Sequence, residues 1–320
     1  MLEIRDLHVK FHTRQREAVA GVSLTIHDGE ILGLVGESGS GKSVTAMSVA
    51  GLLPRKQCDF SGEILLDGAE LLHADRTLLR QVQGREIGVV FQEPQSCMDP
   101  LMRIGPQVEE VLRIHTDLSR EARRDQALAA LAAVELPDPA GVYRKYPHEL
   151  SGGMLQRAMI AAAVVARPKL LLLDEPTTAL DVTIQAQIME LIRQMNREMG
   201  TAVLLISHDL GVIRQMCTRV YIMYAGRVVE SGETKEVLAH PLHPYTKGLI
   251  ASIPSLEKRG QRLSSIPGTV PALEDRSEHG CPFYNRCSKR REICEKETPP
   301  MVVHKGHMAL CVDAKEELGL

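Results

Sequence analysis

Tryptophan is absent from the 320 residues, and phenylalanine and tyrosine number only four and six. A chain so poor in rings lacks the aromatic platforms on which single-stranded nucleic acids stack. Lysine and arginine form no long basic tract and the net charge is −3, which further argues against nucleic acid as the main partner. No apolar run reaches the roughly 18 residues of a membrane span, so no segment is expected to cross a bilayer by itself. Met1-Leu2-Glu3-Ile4-Arg5-Asp6 opens on a strand-like pattern with acidic residues and no signal-peptide apolar core, so a cytosolic location is expected and structural disulfides are not. Of the seven cysteines, Cys58, Cys97 and Cys217 are scattered singly and read as small hydrophobes. The other four, Cys281, Cys287, Cys294 and Cys311, crowd into 31 residues.

What is present suits one large α/β domain over residues 1–235 and an extension over 236–320, with 44% hydrophobic residues to build a core. Strand-like runs are Leu2–Phe11, Val22–Ile26, Ile31–Val35, Gly62–Leu66 and Ile87–Phe91. Between about 95 and 165 the strand pattern gives way to helical periods at Gln107–His115, Arg120–Val134 and Met154–Ala166, a helical subdomain. Leu170–Leu173 and Ala202–Ile206 are continuous apolar strands on either side of helix Ile184–Met199, an order that implies a parallel core sheet. Val220–Met223 and Arg227–Ser231 form a hairpin around Ala225-Gly226, and beyond about 235 the chain turns Pro-rich and irregular.

The chemistry concentrates in a few short runs. Gly36-Glu37-Ser38-Gly39-Ser40-Gly41-Lys42-Ser43 fits the phosphate-loop pattern, in which backbone N–H groups close around phosphates. Lys42 reaches the β- and γ-phosphates in such a loop, and Ser43 offers a hydroxyl to Mg²⁺. An apolar strand precedes it and the helical run Val44–Ala50 follows, so a helix N-terminus would face the phosphates. Asp174 and Glu175 end the apolar strand Leu170–Leu173, where ligands bind in open α/β sheets. There Asp174 is placed to hold Mg²⁺ and Glu175 to orient or deprotonate the attacking water.

Leu150-Ser151-Gly152-Gly153-Met154-Leu155-Gln156-Arg157, about a hundred residues after the phosphate loop, resembles the signature sequence of ABC ATPases. Leu170–Pro176 resembles the Walker B segment of the same family. The resemblance covers nearly the entire chain and implies a P-loop NTPase fold with a parallel core sheet, an antiparallel β subdomain and a helical subdomain. It implies that Gln92 is the Q-loop glutamine, which senses Mg²⁺ and the membrane partner. Ala179-Leu180-Asp181 becomes the D-loop at a dimer interface, and His208 the switch histidine at the γ-phosphate. Phe11, or His12 beside it, falls near the place of the adenine-stacking aromatic. Ser151 and Gly153 would close on ATP held by the phosphate loop of a second subunit.

Tyr146–Ser151, Glu175–Gln187, Ile104–Gln107 and Pro241-Leu242-His243-Pro244-Tyr245-Thr246 are similar to oligopeptide, dipeptide and nickel importer subunits. That resemblance implies an ATPase using ATP and Mg²⁺ at the cytoplasmic face of the membrane, peripheral to it. The implied partners are a second, homologous ATPase subunit, two integral-membrane permeases and an extracytoplasmic solute-binding protein. Peptides are the favoured solute and nickel or another small solute the alternative; a non-transport ATPase would need an insertion or second domain that 320 residues do not hold. Spacing of the four C-terminal cysteines fits neither a zinc ribbon nor a ferredoxin run, leaving zinc, an iron–sulfur cluster or plain thiols open. Importer subunits with a matching pattern carry a [4Fe–4S] cluster, so the resemblance assigns one to Cys281, Cys287, Cys294 and Cys311, stapling an extension with little apolar content. Since the nucleotide ligands all precede residue 235, that extension is expected to leave ATP affinity alone.

Overall fold

The computed structural model describes residues 1–178, 181–254, 265–277 and 279–318. In chain order it builds β1 (Leu2–Phe11), β2 (Val19–Ile26), β3 (Ile31–Val35), α1 (Lys42–Val49), β4 (Cys58–Leu66), β5 (Ala69–Glu70), α2 (Arg76–Val82) and β6 (Ile87–Val90). Next come α3 (Pro94–Cys97), α4 (Ile104–His115), α5 (Arg120–Ala133), α6 (Pro139–Arg144), α7 (Gly152–Val164), β7 (Leu170–Asp174), α8 (Val182–Met199) and β8 (Ala202–Ser207). The remainder is α9 (Leu210–Met216), β9 (Arg219–Tyr224), β10 (Arg227–Glu233), α10 (Thr234–Ala239), α11 (Pro244–Ala251), α12 (Glu292–Lys296), β11 (Met301–His304), β12 (His307–Leu310) and α13 (Ala314–Glu317). Two compact units result, one of residues 1–25, 32–73 and 207–320, the other of 26–31 and 74–206.

The first unit holds an antiparallel sheet in the order β2-β1-β4-β5 and a mixed set of strands, β11-β12-β10-β9-β3. β3 runs parallel to β9 with Leu34 opposite Tyr221, so its five residues are buried on both faces, as an apolar parallel strand requires. β9 and β10 meet through the left-handed turn Ala225-Gly226 (φ +47° and +88°), the hairpin geometry whose twist matches its strands. The C-terminal segment is not irregular throughout. β11 and β12 form a hairpin turned at Lys305-Gly306 (φ +48° and +81°), and β12 pairs with β10. Leu242, Val302, Ala309, Cys311 and Ala314 pack into a small core of their own, with Leu318 against it. Here the carboxylate of Glu230, fully buried in β10, accepts the Leu242 and His243 amides (2.7 and 2.9 Å) and faces His307 Nε2 at 2.7 Å. Those bonds satisfy a buried charge that would otherwise be costly.

The second unit stacks β6, β7 and β8 in parallel, Leu172 of β7 lying opposite Val89 and Leu204. Every residue of Leu170–Asp174 is buried because strands flank it on both sides. Helices α3–α7 make the helical part, where Ser119 caps the Ala-rich α5 by accepting the Ala122 amide. Arg157 of α7, nearly buried, donates to Val134 O (2.7 Å) and Gln187 Oε1 (3.0 Å) and pairs with Glu135, joining α7 to the end of α5 and to α8. Among the described residues no helix is long and apolar enough to cross a membrane.

Candidate active site

Eight residues between β3 and the body of α1 close a loop around their own lysine. Lys42 Nζ donates to Gly36 O (2.7 Å), Glu37 O (3.0 Å) and Ser40 Oγ (3.4 Å), leaving the side chain 5% exposed. A Cβ on Gly36 would stand 2.2 Å from Met223 O, and Gly41 has φ +105°, so glycine is demanded at both corners. Gly226 N donates to Ser40 O (2.8 Å), tying the loop to the β9–β10 turn. Helix α1 has no side-chain cap and no acidic residue in its first turn, so its leading amides are left for an anion. Ser38, Gly39 and Ser43 are exposed on the same loop.

In the second unit β7 delivers Asp174, buried, and then Glu175 at its end. Glu175 has a left-handed backbone (φ +48°), a conformation that costs a non-glycine residue about 1–3 kcal/mol and clusters at functional sites. Its amide donates to Ile206 O (3.0 Å), and its carboxylate accepts Gln92 Nε2 at 3.1 Å and Thr178 Oγ1 at 2.9 Å. Gln92, exposed just beyond β6, is thereby brought onto the carboxylate that was expected to handle water.

The signature helix begins two residues before the expected Met154, because Ser151 is its cap and Gly152 and Gly153 form its first turn. Ser151 Oγ accepts the Met154 amide at 3.4 Å and stays exposed. A Cβ on Gly153 would press Ile184 Cγ2 at 3.1 Å, so α7 meets α8 closely there. Asp181 caps α8 by accepting the Thr183 and Ile184 amides at 3.0 Å each, while Ala179 and Leu180 of the D-loop lie outside the described residues. In the first unit His208 is exposed in the turn between β8 and α9, whose cap Asp209 accepts the Gly211 amide at 2.7 Å. Phe11 ends β1 half-buried opposite Cys58, and His12 beside it faces Asp59 Oδ1 at 3.0 Å.

Sequence patterns missed the residues that support the phosphate loop from the C-terminal side. Tyr245 OH accepts the Glu37 amide (2.9 Å), Arg276 donates to Gly39 O, and Arg286 grips both carboxylate oxygens of Glu37. Three of the ten rings in the chain, Tyr224, Tyr245 and Phe283, pack there with centroids 4.7–5.4 Å apart. Tyr245 was visible only as part of the Pro-Leu-His-Pro-Tyr-Thr run, and Arg286 only as a neighbour of Cys287. Residues beyond 235 thus touch the phosphate loop directly, although none of the expected nucleotide ligands lies among them.

All four C-terminal cysteines are free thiols lining one cavity of about 20 Å³, together with His243 and Asp313. Burial pushes the Cys281 thiol up to about 12 and raises those of Cys287 and Cys311 as well. Four convergent thiols are a suitable donor set for a thiolate-held metal centre, and a cation would offset the cost of ionising them. Their separations do not preform one, however: among the described residues no group of three or more His, Cys, Asp or Glu is arranged to hold a metal ion.

A glycine-cornered loop that buries its lysine and opens helix amides to an anion defines a phosphate-loop ATPase. Residues 19–178 match the ABC transporter family and residues 229–294 match the C-terminal region of oligopeptide/dipeptide transporters, and the chain belongs to the ABC transporter family. It is 42% identical to the oligopeptide transport ATP-binding protein OppD of Salmonella typhimurium, covering 99% of this chain and 95% of OppD. Against the "probable D,D-dipeptide transport ATP-binding protein DdpD" of Escherichia coli the identity is 47%, over 92% of this chain and 90% of that one. Among solved structures, the dimeric ABC transporter cassette MJ0796 superposes with a TM-score of 0.65 at 30% identity, over 73% of this chain and 99% of that one. The cassette cbiO1 of Clostridium perfringens, from an ABC transporter complex, gives a TM-score of 0.64 at 29% identity, over 75% of this chain and 90% of that one.

Proposed function

We propose that this ATPase energises a binding-protein-dependent importer of oligopeptides or dipeptides. Likeness to OppD over nearly the full length of both chains is the observation that carries the solute class. Lys42 would exchange its loop carbonyls for the β- and γ-phosphates, and Mg²⁺ would take the Ser43 hydroxyl as a ligand, Asp174 at the end of β7 being the carboxylate suited to it. Glu175 takes or orients the proton of the attacking water, with Gln92 and Thr178 fixing the carboxylate. His208 contacts the γ-phosphate, Phe11 the adenine. Ser151 and Gly153, at the start of α7, act on nucleotide held by a second ATPase subunit, with Asp181 at that interface; the neighbour MJ0796 is itself a dimer. Two permeases in the membrane receive the stroke at its cytoplasmic face and pass solute from an extracytoplasmic binding protein. We also infer that Cys281, Cys287, Cys294 and Cys311 hold a [4Fe–4S] cluster, which would act as a structural staple.

Transport decides the solute. Proteoliposomes carrying the full complex with its binding protein should take up labelled oligopeptide or dipeptide in proportion to ATP hydrolysed. Nickel uptake in place of peptide would reassign the solute and leave the ATPase intact.

A further inference from the structure

Glu37 is the second residue of the phosphate loop, and a carboxylate there stands beside the place where a triphosphate must bind. Like charges at short range repel, and the repulsion is strong where water is scarce. The loop does not meet this problem with its own residues. Arg286 Nη1 donates to Glu37 Oε2 at 2.6 Å and Nη2 to Oε1 at 3.1 Å, a bidentate pair across 249 residues of sequence. Among the described residues no other cation pairs with Glu37. The guanidinium is itself held from several sides. Its Nε donates to Pro267 O at 2.8 Å, it lies 5.7 Å from the Tyr224 ring centre and 6.0 Å from that of Phe283, and its side chain is 5% exposed. Tyr245 OH meanwhile takes the Glu37 amide, so backbone and side chain of one loop residue are both fixed from beyond residue 235.

We propose that Arg286 is a positioning residue for nucleotide binding: it cancels the charge of Glu37 and holds the first turn of the phosphate loop in its receiving shape. Burial makes the arrangement rigid. The ring contacts and the Pro267 carbonyl set the fork before nucleotide arrives, so little ordering remains to be done on binding. The cysteine-bearing extension is thus part of the nucleotide machinery rather than an appendage. Arg286 lies next to Cys287, so whatever shifts that turn shifts the fork on Glu37.

The inference rests on ATP binding at this loop, and one titration series separates the two. MgATP is titrated into the purified full-length chain and its Glu37 and Arg286 variants, with thermal unfolding followed in parallel. Arg286→Ala should raise the Kd for MgATP about tenfold, the scale of one charge-assisted contact, and Arg286→Lys less, since a point charge neutralises without the bidentate fork. In steady state, KM for ATP should rise while kcat at saturating ATP falls far less. Adding Glu37→Gln to Arg286→Ala should restore affinity to within about threefold of wild type, because no charge is left to cancel. Absence of MgATP binding by the wild type would overturn the ATPase reading itself. Wild-type affinity in Arg286→Ala, or a double variant as weak as that single one, would overturn the role given to Arg286.

Discussion

Gln92 and Glu175, 83 residues apart in sequence, are joined by a direct hydrogen bond in which the amide Nε2 donates to the carboxylate at 3.1 Å. The strained backbone of Glu175 aims its carboxylate, and Gln92 and Thr178 hold it from two sides. Gln92→Ala releases one of those holds. The turnover number should fall about tenfold, less than the roughly hundredfold minimum of a positioned acid–base group, because Gln92 holds the carboxylate and transfers no proton itself. Stopped-flow binding of MgATP should remain. Unchanged kcat in the assembled transporter would leave the Gln92–Glu175 bond without a catalytic role.

Lys42 donates to loop oxygens, which under the proposed function it would exchange for phosphate oxygens when nucleotide binds. Lys42→Ala removes a charged donor and leaves buried carbonyls unpaired. Affinity for ATP should drop by about ten- to a hundredfold, as expected from the loss of hydrogen bonds to a charged group. Equilibrium titration with MgATP checks it, and an unchanged Kd would count against the phosphate-loop assignment.

Purified without oxygen, the chain should carry about four irons and a broad absorption of sulfur-to-iron charge transfer. Cys287→Ser should bleach it and raise hydrogen exchange through residues 279–318, whose own apolar core is small. Because Arg286 is its neighbour, the same variant should also bind ATP more weakly. One zinc per chain and no iron would replace the cluster with a zinc site.

Much of the site was legible because its signals are local. β3 is a five-residue apolar run leading into Gly36 and β7 four leucines leading into Asp174 and Glu175, and buried parallel strands need nothing subtler. Ser151 stands just before a helical period, although the glycines at the start of α7 shift its beginning from the expected Met154. Asp181 reads from the sequence only as part of the D-loop, and its capping of α8 emerges from the fold. Hidden features depend on distant partners. The four-residue strands Met301–His304 and His307–Leu310 are short and are joined by Lys305-Gly306 rather than an Asn-Gly or Asp-Gly turn. β12 is secured by pairing to β10 and by His307 facing Glu230, 77 residues back, and β11 pairs with β12. Arg286 reads as one more cation in a basic segment until the fold sets it on Glu37. No periodicity encodes that contact.

Hydrolysis at Glu175 is the central claim, and one variant addresses it directly. Glu175→Gln keeps the shape of the side chain, the phosphate loop and the Mg²⁺ ligands but removes the base. In the assembled transporter, single-turnover hydrolysis of bound ATP should be nearly abolished, with a loss of about a hundredfold or more. MgATP should still bind and be retained. Hydrolysis near the wild-type rate in that variant would contradict the assignment and move the catalytic role away from the end of β7.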